Sequence, residues 1–313
     1  MRAATIVDGR IEVRERPDPA PGHGQLLVAV RAAGLNGADV LQRKGLYPPP
    51  AGSPADIPGM ELAGEVVALG PGATRFAVGD RVMAVVGGGA QAELAVVHER
   101  EAMPVPVGVG WAEAGGLPEV FTTAHDALFS SAGLGPGERL LVTGAAGGVG
   151  TAGVQLGVAA GAEVVASVRN PALRAAVADL GATVVDPADV TGTGPFDVVL
   201  ELVGAPNLAT DLAELATGGR IVVIGVGGGA RAEVDLRVIM GKRARVSGST
   251  LRARPLEGKA DAARRVERHV LPLFARGRLR VPVHAAFPLG EAAAAYEAFE
   301  AGGKLGKIVV TAL

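Results

Sequence analysis

The sequence predicts an α/β protein built from a mostly antiparallel β domain and a doubly wound parallel sheet. Three observations carry this reading. Up to about residue 118 short alternating segments are separated by turn residues, as in an antiparallel β domain. From Glu119 onward strands alternate with helical stretches, which a parallel sheet requires. At 140–169, LLVTGAAGGVGTAGVQLGVAAGAEVVASVR, a buried strand runs through a glycine-rich turn into a helix and then a second strand.

In chain order, 3–7 and 10–13 alternate around Asp8-Gly9, a hairpin signal. A strand at 26–33 leads into a short helix from Gly34 to Arg43, and a proline-rich loop fills 47–58. Strands follow at 61–69, 81–86 and 92–97, the last after the loop Gly87-Gly88-Gly89. A helix at 121–128 precedes the strand at 140–143, the helix at 151–160 and the strand at 163–167. Further on come a helix at 171–180 stopped by Gly181, strands at 183–185, 197–200, 220–223 and 245–249, and a helix at 207–215. The tail is read as helices at 256–276 and 289–300 and a strand at 307–310, too few elements for a third domain and therefore expected to complete the first. The domains are placed at 1–118 with 254–313, and at 119–253.

The glycine-rich turn is built for a pyrophosphate. Gly144 and Gly147 let the backbone turn and approach a ligand, Gly150 lets the helix lie on the strand, and the N–H groups of the first helical turn face the phosphates. The bound stretch is thus Ala145, Ala146, Gly147, Gly148 and Val149. An NAD site places Asp or Glu about 20 residues after the first glycine. Here that place reads Ala166-Ser167-Val168-Arg169-Asn170, with no acid. A 2′-phosphate finds a donor in Ser167 and charge in Arg169, with Arg174 as a second candidate, so NADPH is favoured over NADH. The small residues after the strand at 220–223, Gly225 and Val226 among them, suit close approach of the ribose and nicotinamide.

Composition excludes several classes. The chain of 313 residues carries a formal charge of −2 and no cysteine, which argues against nucleic acid or an anionic membrane as partner and removes disulfides, thiolate nucleophiles and cysteine zinc sites. The uncharged run at 140–162 also reads as a membrane span. Its glycines, Thr143, Thr151 and Gln155, and the absence of flanking aromatics exclude that. The first residues, MRAATIVDGRIEV, lack the apolar core of a secretory leader, and a cytoplasmic protein is expected.

Several motifs together resemble the medium-chain dehydrogenase/reductase superfamily in its zinc-free quinone oxidoreductase branch, and within it the p53-inducible quinone oxidoreductase type. They are Asn36-Gly37-Ala38-Asp39, Leu41-Gln42-Arg43-Lys44-Gly45-Leu46-Tyr47-Pro48-Pro49-Pro50, Gly87-Gly88-Gly89-Ala90-Gln91-Ala92-Glu93 and Leu117-Pro118-Glu119. To these are added Ala145-Ala146-Gly147-Gly148-Val149-Gly150, Ser249-Thr250-Leu251-Arg252-Ala253-Arg254 and Gly306-Lys307-Ile308-Val309-Val310. The resemblance implies a GroES-like catalytic domain, a Rossmann domain, NADPH and a homodimer. It implies that Asn36 and Tyr47 lie near nicotinamide and substrate, that Thr123 flanks the nicotinamide, and that Thr250 and Leu251 belong to the segment closing on the cofactor. Asn36 also reads as a helix cap and Tyr47 as packing in the proline loop.

In the zinc enzymes of the superfamily a Cys and a His stand where this chain has Asn36 and Met60, and Glu61 alone is no zinc site. Without a Lewis acid, alcohol oxidation lacks its usual means of lowering the hydroxyl pKa, whereas a quinone or activated enone needs only a well-placed hydride donor. An NADPH-dependent quinone reductase is the leading expectation. An enone or 2-enoyl thioester reductase is the second, and an NADPH-binding sensor with weak turnover the third.

Overall fold

The structure, a computed structural model, describes Met1–Ala312. The chain forms two compact units. The first comprises Met1–Thr122, Leu251–Gly302 and the tail from Lys307; the second comprises Thr123–Thr250 and Gly303–Gly306.

In the first unit β1 (Arg2–Val7) and β2 (Arg10–Glu15) form an antiparallel hairpin. Its turn residues Asp8 and Gly9 both have positive φ, 47° and 74°, the backbone that matches the twist of the two strands. The main sheet is built on β3 (Gln25–Gly34), whose alternate residues Leu26, Val28 and Val30 enter the core. After α1 (Gly37–Arg43) come β4 (Glu61–Leu69), β5 (Arg81–Val85), β6 (Leu94–His98), β7 (Ala102–Pro104) and α2 (Trp111–Gly115). The helix α3 (Pro118–His125) carries the chain out of the unit.

The second unit contains β8 (Arg139–Val142), α4 (Gly148–Ala159), β9 (Glu163–Ser167), α5 (Arg174–Ala178), β10 (Thr183–Val185), β11 (Phe196–Glu201), α6 (Leu208–Glu214), β12 (Leu215–Val223), α7 (Leu236–Lys242) and β13 (Arg245–Gly248). These six strands are all parallel and lie in the order β10-β9-β8-β11-β12-β13, the doubly wound arrangement the alternation requires. Leu140, Leu141 and Val142 are fully buried, which explains why that strand reads as an unbroken apolar run. On α4, a Cβ at Gly153 would come within 2.6 Å of Leu200 and one at Gly157 within 2.6 Å of Leu140. The helix therefore lies directly on the sheet, and its lack of charge follows from burial. Among the described residues no helix is long and apolar enough to cross a membrane.

The tail returns to the first unit as α8 (Leu256–His269), α9 (Leu271–Ala275), β14 (Val283–Pro288), α10 (Ala292–Ala301) and β15 (Lys307–Thr311). The seven-stranded sheet runs β14-β15-β3-β4-β5-β7, with β6 paired to β3; only the β14–β15 pair is parallel. A second core beneath α10 gathers Ile11, Leu35, Tyr296, Ile308 and Val310.

Local departures from expectation have local causes. The helix expected over 256–276 is divided between α8 and α9, where Pro272 cannot donate the hydrogen bond that would continue α8. The helix expected over 171–180 begins as a single 3₁₀ turn at Pro171–Leu173, capped by Asn170. The helix expected over 121–128 starts at Pro118 and continues beyond His125 as the wider turn Asp126–Ser131.

Candidate active site

The second unit holds the glycine-rich turn between β8 and α4. Gly144, at φ 58°, turns the chain out of β8, and Gly147 is the N-cap of α4. A Cβ on Gly150 would sit 2.6 Å from both the Gly144 carbonyl and the Ala145 Cα, so only glycine lets the turn fold onto the helix. Ala145 donates its N–H to the Ser167 carbonyl (3.2 Å), and the Ala146 carbonyl accepts from Gly306 (2.8 Å), so β9 and Gly306, both of this unit, brace the turn. Gly148 and Val149 begin the helix, with N–H groups in the first turn as an anion requires.

At the end of β9, Ser167 is buried and Arg169 is exposed without an ion-pair partner among the described residues. Arg174, the second basic candidate, is taken up: it is paired with Asp186 and donates to the Val168 carbonyl (3.1 Å). Ser167 and Arg169 therefore remain as a hydroxyl donor and a positive charge at this strand end, groups of the kind that phosphate oxygens accept from.

Farther along the same carboxyl edge, Glu201 closes β11. Its Oε1 accepts the N–H groups of Val203 (2.5 Å) and Gly204 (2.6 Å), and its Oε2 accepts from Asn207 (3.2 Å). Asp211, 1% exposed, faces Glu201; burial and the neighbouring carboxylate raise its pKa far above the usual carboxylate range. A Cβ on Gly225 would lie 2.3 Å from the Leu202 carbonyl, so the ends of β11 and β12 meet backbone to backbone, with Val226 exposed beside them. Ala145–Val149, Ser167, Arg169, Gly225 and Val226 thus share one sheet edge. Thr123 lies in α3 and Thr250 follows β13. Leu251 belongs to the first unit, where its side chain packs with Val85 and Ala262.

The first unit holds Asn36 and Tyr47. Asn36 precedes α1, and its N–H donates to Asp39 Oδ2 (2.8 Å). The Asn36 side chain turns inward: Nδ2 donates to Glu61 Oε1 (2.9 Å) and Oδ1 accepts from Lys307 Nζ (2.7 Å). Lys307 and Glu61 pair at 2.6 Å and are 3% and 0% exposed. Asp39 is completely buried, and burial pushes its pKa up to about 6 against the opposing pull of the Asn36 and Gly59 N–H groups and of Lys307 and Arg252.

Tyr47 is organised by Arg252, which is 1% exposed. Its guanidinium stands 5.4 Å from the Tyr47 ring centroid and donates to the carbonyls of Gly87 (2.7 Å) and Tyr47 (3.4 Å) and to Gln42 Oε1 (2.5 Å). One buried cation ties α1, the proline loop and the glycine loop together. Sequence reasoning missed Lys307 and Arg252 as site residues, although both fall in motifs already marked, Gly306–Val310 and Ser249–Arg254.

Comparison with known proteins agrees with this architecture. Residues 22–107 match the alcohol dehydrogenase GroES-like domain, and 161–310 match the zinc-binding dehydrogenase domain. The chain is 32% identical to a quinone oxidoreductase of Pseudomonas aeruginosa over 315 residues, covering 96% of this chain and 95% of that protein. It is 37% identical to the erythronolide synthase EryA2 of Saccharopolyspora erythraea over 92% of its own length, but spans only 8% of that protein. The mycobacterial protein Rv1454c, solved as its complex with NADPH, superimposes with a TM-score of 0.87 at 27% identity, covering 99% of this chain and 100% of that one.

The residues present do not fit the zinc that the second domain's name implies. The Asn36 amide and the Glu61 carboxylate are already engaged by Lys307, Met60 is buried, and no cysteine exists in the chain. Among the described residues no group of three His, Cys, Asp or Glu side chains could hold a metal ion. With its GroES-like unit, its parallel-sheet unit and its quinone oxidoreductase relatives, the chain belongs to the medium-chain dehydrogenase/reductase superfamily.

Proposed function

We propose that this chain is an NADPH-dependent reductase that delivers hydride to a small quinone without a metal. The observation that carries the reading is the closed cluster of Asn36, Glu61 and Lys307, which offers a hydrogen-bonding amide where a metal-dependent enzyme needs open ligands. Bound NADPH supplies the hydride. The N–H groups of Gly148 and Val149 hold its pyrophosphate, and Ser167 and Arg169 hold the 2′-phosphate. Thr123, Gly225, Val226 and Thr250 are assigned to the ribose and nicotinamide. Asn36 Nδ2 and the Tyr47 hydroxyl donate to the quinone oxygen as it gains charge, water supplies the proton, and hydroquinone leaves. The Rv1454c complex supports the choice of cofactor and the Pseudomonas relative the choice of acceptor.

We assign a cytoplasmic homodimer to this reading. Support for the dimer comes from β13, an edge strand exposed along its length, with Val246, Leu236 and Met240 (75% exposed) presenting apolar surface nearby. Sedimentation of a Met240→Glu, Val246→Lys variant is expected to give a monomer where the parent chain gives a dimer; an unchanged species would place the contact elsewhere.

The similarity to segments of the erythronolide synthase and of the polyketide synthase GfsB of Streptomyces halstedii favours one second reading, reduction of a 2-enoyl thioester. NADPH oxidation measured with 1,4-benzoquinone, 1,2-naphthoquinone and a crotonyl thioester separates the two. Faster turnover of both quinones is expected. Preference for the thioester would move the assignment to the second reading, and NADPH binding with no turnover would move it to a sensing role.

A further inference from the structure

Lys307 and Glu61 are buried charges that the hydride transfer itself does not use. We infer that Lys307, acting with Glu61, is the positioning residue that holds the Asn36 amide as a hydrogen-bond donor toward the substrate oxygen; this rests on the reading of Asn36 given above.

The two ends of an asparagine amide are nearly alike in size and opposite in hydrogen-bonding sense, so packing alone does not choose between them. A lysine ammonium only donates and an ionised carboxylate only accepts. With Lys307 Nζ 2.7 Å from Oδ1 and Glu61 Oε1 2.9 Å from Nδ2, one orientation satisfies both neighbours. The reverse sets an N–H against an ammonium and a carbonyl against a carboxylate.

The lock is itself held. Lys307 Nζ uses its three protons on the Leu35 carbonyl (2.8 Å), Asn36 Oδ1 and Glu61 Oε1, so it has none left for a substrate and acts through Asn36. Glu61 Oε2 accepts the Glu119 N–H at 2.8 Å. Gly34 makes room: a Cβ there would lie 2.2 Å from Glu61 Oε1 and 2.9 Å from the Gly115 carbonyl. The second N–H of Asn36 Nδ2 has only a long contact to the Gly34 carbonyl, 3.4 Å, and is the one a substrate oxygen can take over. The carboxylate that would neutralise a metal ion is neutralised instead by a cation of the chain itself, which accounts for the misfit with zinc.

The test compares Asn36→Ala with the double variant Glu61→Gln, Lys307→Met, which removes the lock without leaving a buried unpaired charge. With 1,4-benzoquinone the double variant is expected to lose about 10- to 100-fold in kcat, approaching Asn36→Ala, with KM for NADPH unchanged. Wild-type kcat in the folded double variant beside a slow Asn36→Ala would overturn the positioning role alone. Wild-type kcat in Asn36→Ala would overturn the reading of Asn36 and the inference together. Should the double variant fail to fold, the parent protein suffices: 15N-asparagine labelling reports only Asn36, Asn170 and Asn207. For Asn36 one side-chain proton, the one donated to Glu61, is expected to exchange slowly with solvent while the other exchanges freely, and two protons exchanging equally fast would contradict the lock.

Discussion

The two units each bury a polar cluster beside their proposed ligand, and they handle charge in opposite ways. In the first, Lys307, Glu61 and Asn36 match donor to acceptor around a buried cation and a buried anion. In the second, Glu201 and Asp211 are two carboxyls brought together, so one keeps a proton. A matched cluster holds its geometry without a proton shared between like charges. A cluster of like charges holds it only while protonated, and here it orders the Val203 and Gly204 N–H groups at the sheet edge.

The largest effect is expected from breaking the matched cluster. Lys307→Met strands Glu61 in the core and should cost about 3–5 kcal/mol in unfolding free energy, read from the denaturant midpoint. A loss below about 1 kcal/mol, the scale of an exposed pair, would mean the two charges are solvated after all.

Arg169 is the counter-case to Lys307, a cation without a carboxylate partner among the described residues. Arg169→Glu should lower the preference for NADPH over NADH by about 10- to 100-fold, the worth of a hydrogen bond to a charged group. An unchanged ratio of kcat/KM values would remove Arg169 from the 2′-phosphate site.

The smallest effect distinguishes the carboxyl pair. Because the folded state holds a proton on Asp211 that the unfolded chain releases in the ordinary carboxylate range, stability falls as pH rises through neutrality toward the raised pKa. Asp211→Asn keeps a donor toward Glu201 and removes that titration. The variant should gain on the parent steadily as the pH rises from pH 5 to pH 8. A gap independent of pH would show that Asp211 is ionised in the folded protein.

What the sequence made legible follows from how local each signal is. The strands at 163–167 and 183–185 stand where alternation and turn residues place them, and the cradle at 144–150 could be read from its glycines because strand, turn and helix are contiguous. Ser167 ends β9 and Arg169 follows two residues on, as the local pattern places them. The short strand β14 escaped notice because six residues between two helices carry little periodicity. The partners of Asn36 escaped for a stronger reason: Lys307 lies 271 positions away, and Arg252 lies 210 from Gln42. The folding of β15 against β3 brings Lys307 to Asn36, and no spacing rule encodes it.

The most direct measurement is the initial rate of NADPH oxidation by the purified chain with 1,4-benzoquinone, set beside NADH under the same conditions. Rapid turnover with a clear preference for NADPH is the predicted result. Quinone reduction that is absent while NADPH is bound, or equally fast with NADH, would contradict it.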